Sequence, residues 1–268
     1  MKSVVICEGN TDLVLIQYFL EKVYNWEHIK NNDHKNYSKL IDKFNDNARN
    51  VQWFKHSNGS ILCIRSAGGV SKIPNILEQV LDLNQLGLLN KYERILVISD
   101  RDEVGTEQKF ITDLSLKFKD FNVIFSNDIE HNSWNKATYS DVLKEKSQEV
   151  SRVEFLPLII PFEETGAIET FLLDGLCENS EKNDELKTDK IIIEQCRTLI
   201  DSISINCNGK YLCHRREKTK AKFETVFVVM TPANAFNRRQ SLLRSVPWEN
   251  YETVQNGFKQ FSNLSEGI

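Results

Sequence analysis

Between Met1 and Ser126 the sequence switches repeatedly between two hydrophobic periods, and this alternation restricts the available folds more than any other feature. "SVVIC" (Ser3 to Cys7) is a short β-branched apolar run, the signature of a strand. In "TDLVLIQYFLEKVY", residues Leu13, Ile16, Phe19, Leu20 and Val23 then recur at spacings of three and four, which predicts an amphipathic helix. The pattern repeats. "SILCIRSAGG" reads as a strand ending in a glycine turn, and "SKIPNILEQVLDL" as a helix with Ile73, Ile76, Leu77, Val80 and Leu81 on one face. "RILVISD" and "FNVIFS" are two further strands, separated by the helix "TEQKFITDLSLKF". Strands alternating with helices imply βαβ units, right-handed crossovers and a Rossmann-type parallel β-sheet flanked by helices.

The α/β pattern predicts a domain over 1–176, interrupted by polar insertions at about 26–59 and 128–152. After the strand-like "VEFLPLIIPF", helical signals dominate: "AIETFLLDGL", "DKIIIEQCRTLIDSI", "TKAKFETVFVVM" and "QSLLRSV". Residues 177–268 are therefore expected to form a mainly helical C-terminal extension packed on that domain, with a solvated linker around Glu178 to Thr188. A hydrophobic fraction of 40% and a charged fraction of 27% are ordinary for a globular chain. No run of about 18 apolar residues suggests a membrane span. The N-terminus passes straight into a charged motif without a signal-peptide core, and six cysteines follow no regular framework, so a cytoplasmic protein with reduced thiols is expected. "CNGKYLCH" lacks the second ligand pair that a structural zinc site needs.

Ligands of open parallel sheets bind beyond the carboxyl ends of the strands, and three acidic groups fall there. "EGNTD" puts Glu8 after the first strand and Asp12 in the first turn of the next helix. "SDRD" ends a strand in Asp100 and Asp102, whose alternate spacing turns both to one side of an extended chain. "PFEETGAIE" adds Glu163, Glu164 and Glu169. Each group has a plainer explanation: Asp12 suits a helix N-terminus, Asp100 a turn, and Glu163 and Glu164 a solvated surface. Together, clustered carboxylates at about 4 Å repel by about 4 kcal/mol per pair at an effective dielectric near 20. A hard cation such as Mg²⁺ converts that cost into binding. Gly9, Gly68, Gly69 and Gly105 would let the backbone approach a bulky anion. This combination describes metal-assisted phosphoryl transfer.

"VVICEGNTD", a strand ending in "SAGG", and "ILVISDRDEVG" together resemble the TOPRIM domain of topoisomerases, primases and OLD-family nucleases, over roughly Met1 to Ser126. "GAIETFLLDGL" and "KTKAKFETVF" resemble helices of small stand-alone TOPRIM proteins and OLD-like nucleases. The resemblance implies Glu8 as metal ligand or general acid/base, and Asp100 and Asp102 as ligands of Mg²⁺ or Mn²⁺. Glu169, with Glu164, would serve a second ion. The implied activity is hydrolysis of DNA or RNA, alone or with a protein partner. Neither a P-loop nor a recognisable topoisomerase tyrosine is present, which disfavours an ATPase or strand passage.

Cations for a nucleic-acid backbone are available, although the net charge is -4. "CHRREKTKAK" holds His214, Arg215, Arg216, Lys218, Lys220 and Lys222, and "NRRQSLLR" adds Arg238, Arg239 and Arg244 near Trp248. The plainer alternative is a solvated helix face. Lys72, just after the glycine turn, is a further phosphate candidate; His56 and His131 lie in polar insertions where histidines are mostly solvated. Two rival readings stay open. "ISDRDEV" fits the DxDx[TV] pattern of haloacid-dehalogenase-type phosphatases, with Asp100 as nucleophile, but that family normally begins with this strand and would leave Glu8 without a role. A non-catalytic TOPRIM module acting within a complex, for instance in phage defence, is the other.

Overall fold

The computed structural model describes residues 1–41, 50–86, 91–140, 150–162, 164–182, 187–232 and 239–266. They form two compact units. The first comprises Met1–Ser99, Val104–Ile159 and Gln260–Ile268; the second comprises Asp100–Glu103 and Ile160–Lys259.

The first unit is built on an eight-stranded sheet with helices. Along the chain run β1 (Lys2–Cys7), α1 (Asn10–Lys22), β2 (Glu27–His28), β3 (Val51–Lys55), β4 (Ile61–Ser66), α2 (Ile73–Leu86) and β5 (Arg94–Asp100). They are followed by α3 (Thr106–Asp120), β6 (Val123–Phe125), β7 (Asn135–Ser140) and β8 (Val150–Ile160). The strand order is β2-β3-β4-β1-β5-β8-β7-β6. β1 is the central strand, parallel to β4 on one side and to β5 on the other, with Ile6 in register with Arg65 and Val97. All six of its residues are buried, as expected of a strand covered on both faces. Side-chain alternation separates those faces. Val4, Ile6, Cys63, Ile95 and Val97 pack in one core with the apolar sides of α2 and α3. Leu62, Ile64 and Leu96 are buried on the opposite parity, and α1 lies against β4. Each such aliphatic side chain contributes about 1.5–3 kcal/mol on full burial.

The sheet is mixed rather than wholly parallel, which corrects the sequence expectation. β3 pairs antiparallel with β4, β6 with β7, and β7 with β8. "FNVIFS" is the edge strand β6, and β8 takes the place beside β5. The supposed insertion 26–59 supplies β2 and β3, although 42–49 lie outside the described residues. The stretch 128–152 supplies β7, where Ala137 and Tyr139 are buried while Lys136 is exposed. Such half-buried antiparallel strands are rich in polar residues, so composition hides them.

The compact units also do not divide at 176. In the second unit, α4 (Ile168–Lys182), α5 (Lys187–Asn206), α6 (Arg215–Met230), α7 (Arg239–Ser245) and α8 (Glu252–Gly257) assemble with the short Asp100–Glu103 segment. Phe171 of α4 meets Phe258 edge-on at 6.2 Å, and Gly175 lies so close to Val254 that a Cβ would come within 2.6 Å of its Cγ2. Ile193, Cys196 and Ile200 of α5 and Phe223, Val226 and Phe227 of α6 are buried. Trp248 is fully buried and donates its indole N–H to Leu243 O at 2.7 Å. No helix among the described residues is long and apolar enough to cross a membrane.

At the start of β5, Arg94 Nε donates to Glu154 Oε2 at 2.8 Å, and its Nη1 donates to Glu266 O at 2.7 Å. Both side chains of this ion pair are largely buried. Removing one partner leaves a buried charge uncompensated, whereas an apolar pair does not. Glu154→Leu should therefore lose about 3–5 kcal/mol of stability in urea unfolding. Arg94→Met/Glu154→Leu should be more stable than that single variant.

Candidate functional site

In the first unit the site begins where β1 ends. Ala67 N–H donates to Cys7 O at 2.8 Å, which extends the β1–β4 pairing by one step. Gly68 and Gly69 then both turn their N–H groups onto Glu8 O, at 2.8 and 3.0 Å. Their φ values are +71° and +135°, and Gly69 has ψ 146°, a region open essentially only to glycine. The glycine turn thus fixes the backbone of Glu8, and these two amides are spent on its carbonyl rather than presented to a phosphate. The Glu8 side chain is only 3% exposed. Asp12, also buried, accepts the Gly9 N–H on Oδ2 at 2.7 Å and closes the first turn of α1. The Gly9 amide is therefore occupied as well. Lys72 is exposed, and its Nζ lies 3.9 Å from where a Cβ on Gly68 would stand, so its ammonium lies alongside the turn.

Cys7 records the field of this corner. Burial pushes its thiol well above the usual range, and the nearby Asp12 and Glu8 carboxylates push it further. The thiol stays protonated, which makes it a poor nucleophile.

In the second unit, the Asp100–Glu103 segment is fixed by backbone bonds on both sides of Arg101. Arg101 N–H donates to Ile160 O at 2.7 Å, and Gly166 N–H donates to Arg101 O at 2.8 Å. Asp100 Oδ1 accepts the N–H of Ile168, the first residue of α4, at 3.0 Å. This carboxylate therefore satisfies one of the open amides at a helix start. The next residue, Glu169, is only 3% exposed. Gly166 is required there, because a Cβ would come 2.9 Å from Thr170 Cβ. Asp102 is exposed, and its backbone carbonyl accepts a hydrogen bond from Arg215 Nη1. Glu164 is exposed, and Glu163 lies outside the described residues.

The predicted cations divide. Lys218 and Lys220 lie half-buried on α6, but Lys222 Nζ is 2.8 Å from Asp201 Oδ1 and ties α6 to α5. Arg238 falls outside the described residues, and Arg244 is exposed. His56 leans on the Trp26 ring at 5.2 Å. His131 is half-buried in a turn before β7. The Arg215 link to the aspartate segment is the feature that sequence spacing missed, since 113 residues separate the two. At the start of α6, Glu217 Oε2 accepts the His214 N–H at 3.0 Å, and this bond holds the Glu217 carboxyl below the usual range.

The acids offer oxygen donors, the kind that hard divalent cations take. Among the described residues, no three of His, Cys, Asp and Glu form a ready-made metal cluster.

Gly69→Ala should cost about 1–3 kcal/mol by forcing a side chain into its backbone conformation. Asp12→Ala should cost about 1 kcal/mol through the lost cap. Both are measurable by chemical denaturation. A maleimide at pH 8 should label the exposed Cys213 and leave Cys7 unmodified in the folded protein, as peptide mass mapping would show. No family model and no curated protein match this chain. Among solved structures, a hypothetical protein from Pyrococcus horikoshii OT3 is similar at 18% identity and TM-score 0.46, over 97% of this chain and 99% of that one.

Proposed function

We propose that the chain is a TOPRIM-like, divalent-metal-dependent nuclease or nuclease subunit that hydrolyses phosphodiesters of DNA or RNA. The observation that carries this reading is Glu8, a carboxylate only 3% exposed at the carboxyl end of the central strand. Two glycines in demanding conformations fix its backbone at that strand end. β1, which runs into Glu8, is parallel to its neighbour β5, which runs into Asp100. That is the arrangement in which open α/β sheets bind ligands at strand ends.

In this reading Glu8 in the first unit, and Asp100 and Asp102 in the second, would be ligands of Mg²⁺ or Mn²⁺, and Glu169 with Glu164 would serve a second ion. A divalent ion supplies Lewis-acid polarisation of the phosphoryl oxygens and neutralises developing charge. The protein's part is to orient the acids. The glycine turn holds the Glu8 backbone, and the Ile168 amide orients Asp100. Glu8 is also the candidate proton acceptor or donor. Lys72 and the α6 lysines Lys218 and Lys220 meet phosphates, with Lys222 held back by Asp201. A phosphatase using Asp100 as nucleophile would give the buried Glu8 and Asp12 no chemical role.

With Mg²⁺ or Mn²⁺, the purified protein should cleave at least one of single-stranded DNA, duplex DNA or RNA, and EDTA should stop it. Metal coordination supplies several kcal/mol of transition-state stabilisation, so Glu8→Gln and Asp100→Asn should each lower the rate by roughly 100-fold or more. Undiminished cleavage in both variants would overturn the metal assignment. A phosphoaspartate-type beryllium fluoride adduct on Asp100 that forms equally well in Glu8→Gln would favour the phosphatase.

A further inference from the structure

The stretch from Lys210 to Lys222 carries six basic residues against one acidic residue, Glu217, in a chain of net charge -4. At its head stands Tyr211, an aromatic side chain 66% exposed. Exposed tyrosines are common, but this one sits on a braced loop. α5 ends in left-handed residues, Asn208 with φ +47° and Gly209 with φ +71°. Gly209 N–H donates to Ser204 O at 3.0 Å, and Ser204 Oγ donates to Leu212 O at 3.3 Å. Cys213 Sγ–H closes the turn onto Gly209 O. Lys210 Nζ lies 5.1 Å from the Tyr211 ring centroid, close enough for a cation–π contact.

The same loop leads directly into the basic first turns of α6, whose Arg215 holds the carbonyl of Asp102. Within the second unit, therefore, an exposed aromatic ring, the basic first turns of α6 and the DxD segment held by Arg215 follow one another. We infer that the Tyr211 loop and the first turns of α6 form a platform for single-stranded nucleic acid, with Tyr211 stacking on an unpaired base and Arg216, Lys218 and Lys220 meeting the backbone phosphates.

The chemistry favours this occupant. A cluster of cations in an acidic protein is complementary to a polyanion. An exposed ring can stack only on a base whose face is open, which a duplex interior does not offer. Arg215 would set the register between platform and aspartates, not bind phosphate itself. The inference rests on the nucleic-acid reading of the function and narrows its substrate to unpaired strands.

Binding is read by fluorescence anisotropy in EDTA, with labelled oligothymidylate and oligouridylate of about 15 nucleotides and a duplex of equal length. The single strands should bind more tightly than the duplex, and Tyr211→Ala should weaken them roughly 5- to 100-fold. Tyr211→Phe should bind within about twofold of the wild type, because the ring is retained. Lys218→Ala/Lys220→Ala should flatten the slope of log affinity against log salt by about 0.7 for each phosphate that is no longer neutralised. Lys109→Ala, at an exposed position of α3, should bind as the wild type does. Circular dichroism confirms that each variant is folded.

Unchanged binding in Tyr211→Ala, equal affinity for the duplex, or no binding of any oligonucleotide would overturn the platform. Strand binding without cleavage in Mn²⁺ would support the platform and count against catalysis alone. Metal-dependent cleavage with Tyr211→Ala binding unaffected would do the reverse.

Discussion

The parallel pairing of β1 with both β4 and β5 is the constraint on which the rest of the structure depends. A strand held on both edges has its register fixed by two ladders at once, since a slip would have to break the pairing with both neighbours. That fixes the point at which the chain leaves the sheet, and the residue at that point is Glu8. The pairing continues past the strand through Ala67 N–H to Cys7 O and then fans out as Gly68 and Gly69 onto Glu8 O. The position of the buried acid is thus an extension of the sheet's own hydrogen bonding, not of an independent loop. The raised thiol of Cys7 is the electrostatic counterpart, set by burial and then by the nearby Asp12 and Glu8 carboxylates.

How much of this was legible in the sequence depended on which physical signal each element carries. β1, α1, β4, α2, β5 and α3 announce themselves through apolar runs or a 3.6-residue period. β7 does not, because an antiparallel strand near a sheet edge needs only alternate residues inside, as Ala137 and Tyr139 do on either side of Thr138, and β3 is a short run of five residues set in a polar stretch. Periodicity also reports what an element is, not what it sits beside. "FNVIFS" is a strand, but the neighbour of β5 is β8.

The candidate site divides in the same way. The placing of Glu8, Asp12, Asp100 and Glu169 at strand ends and helix starts was legible from local chemistry. What each backbone amide does was not recognisable. Gly68 and Gly69 look like a phosphate cradle in sequence, whereas their N–H groups are turned onto the chain itself. The lysines of α6 look alike in sequence, yet Lys222 is paired with Asp201. Arg215 reaches Asp102 across a long sequence separation that no spacing rule anticipates.

The segment Asp100–Glu103 has a consequence for how the chain can be dissected. Its four residues group with the second unit, although the residues on either side belong to the first. The backbone therefore passes between the units at 99/100, 103/104, 159/160 and 259/260. A conventional truncation cuts one such passage and strands a segment on the wrong side. An N-terminal fragment ending at Ile159 would keep the aspartates but lose Ile160, Gly166 and Ile168, which fix them. A C-terminal fragment starting at Ile160 would keep those groups and lack the aspartates. The acidic segment is thus a short excursion of the chain out of the first unit, and gene fission or domain shuffling at 103/104 or 159/160 would separate the aspartates from the groups that fix them.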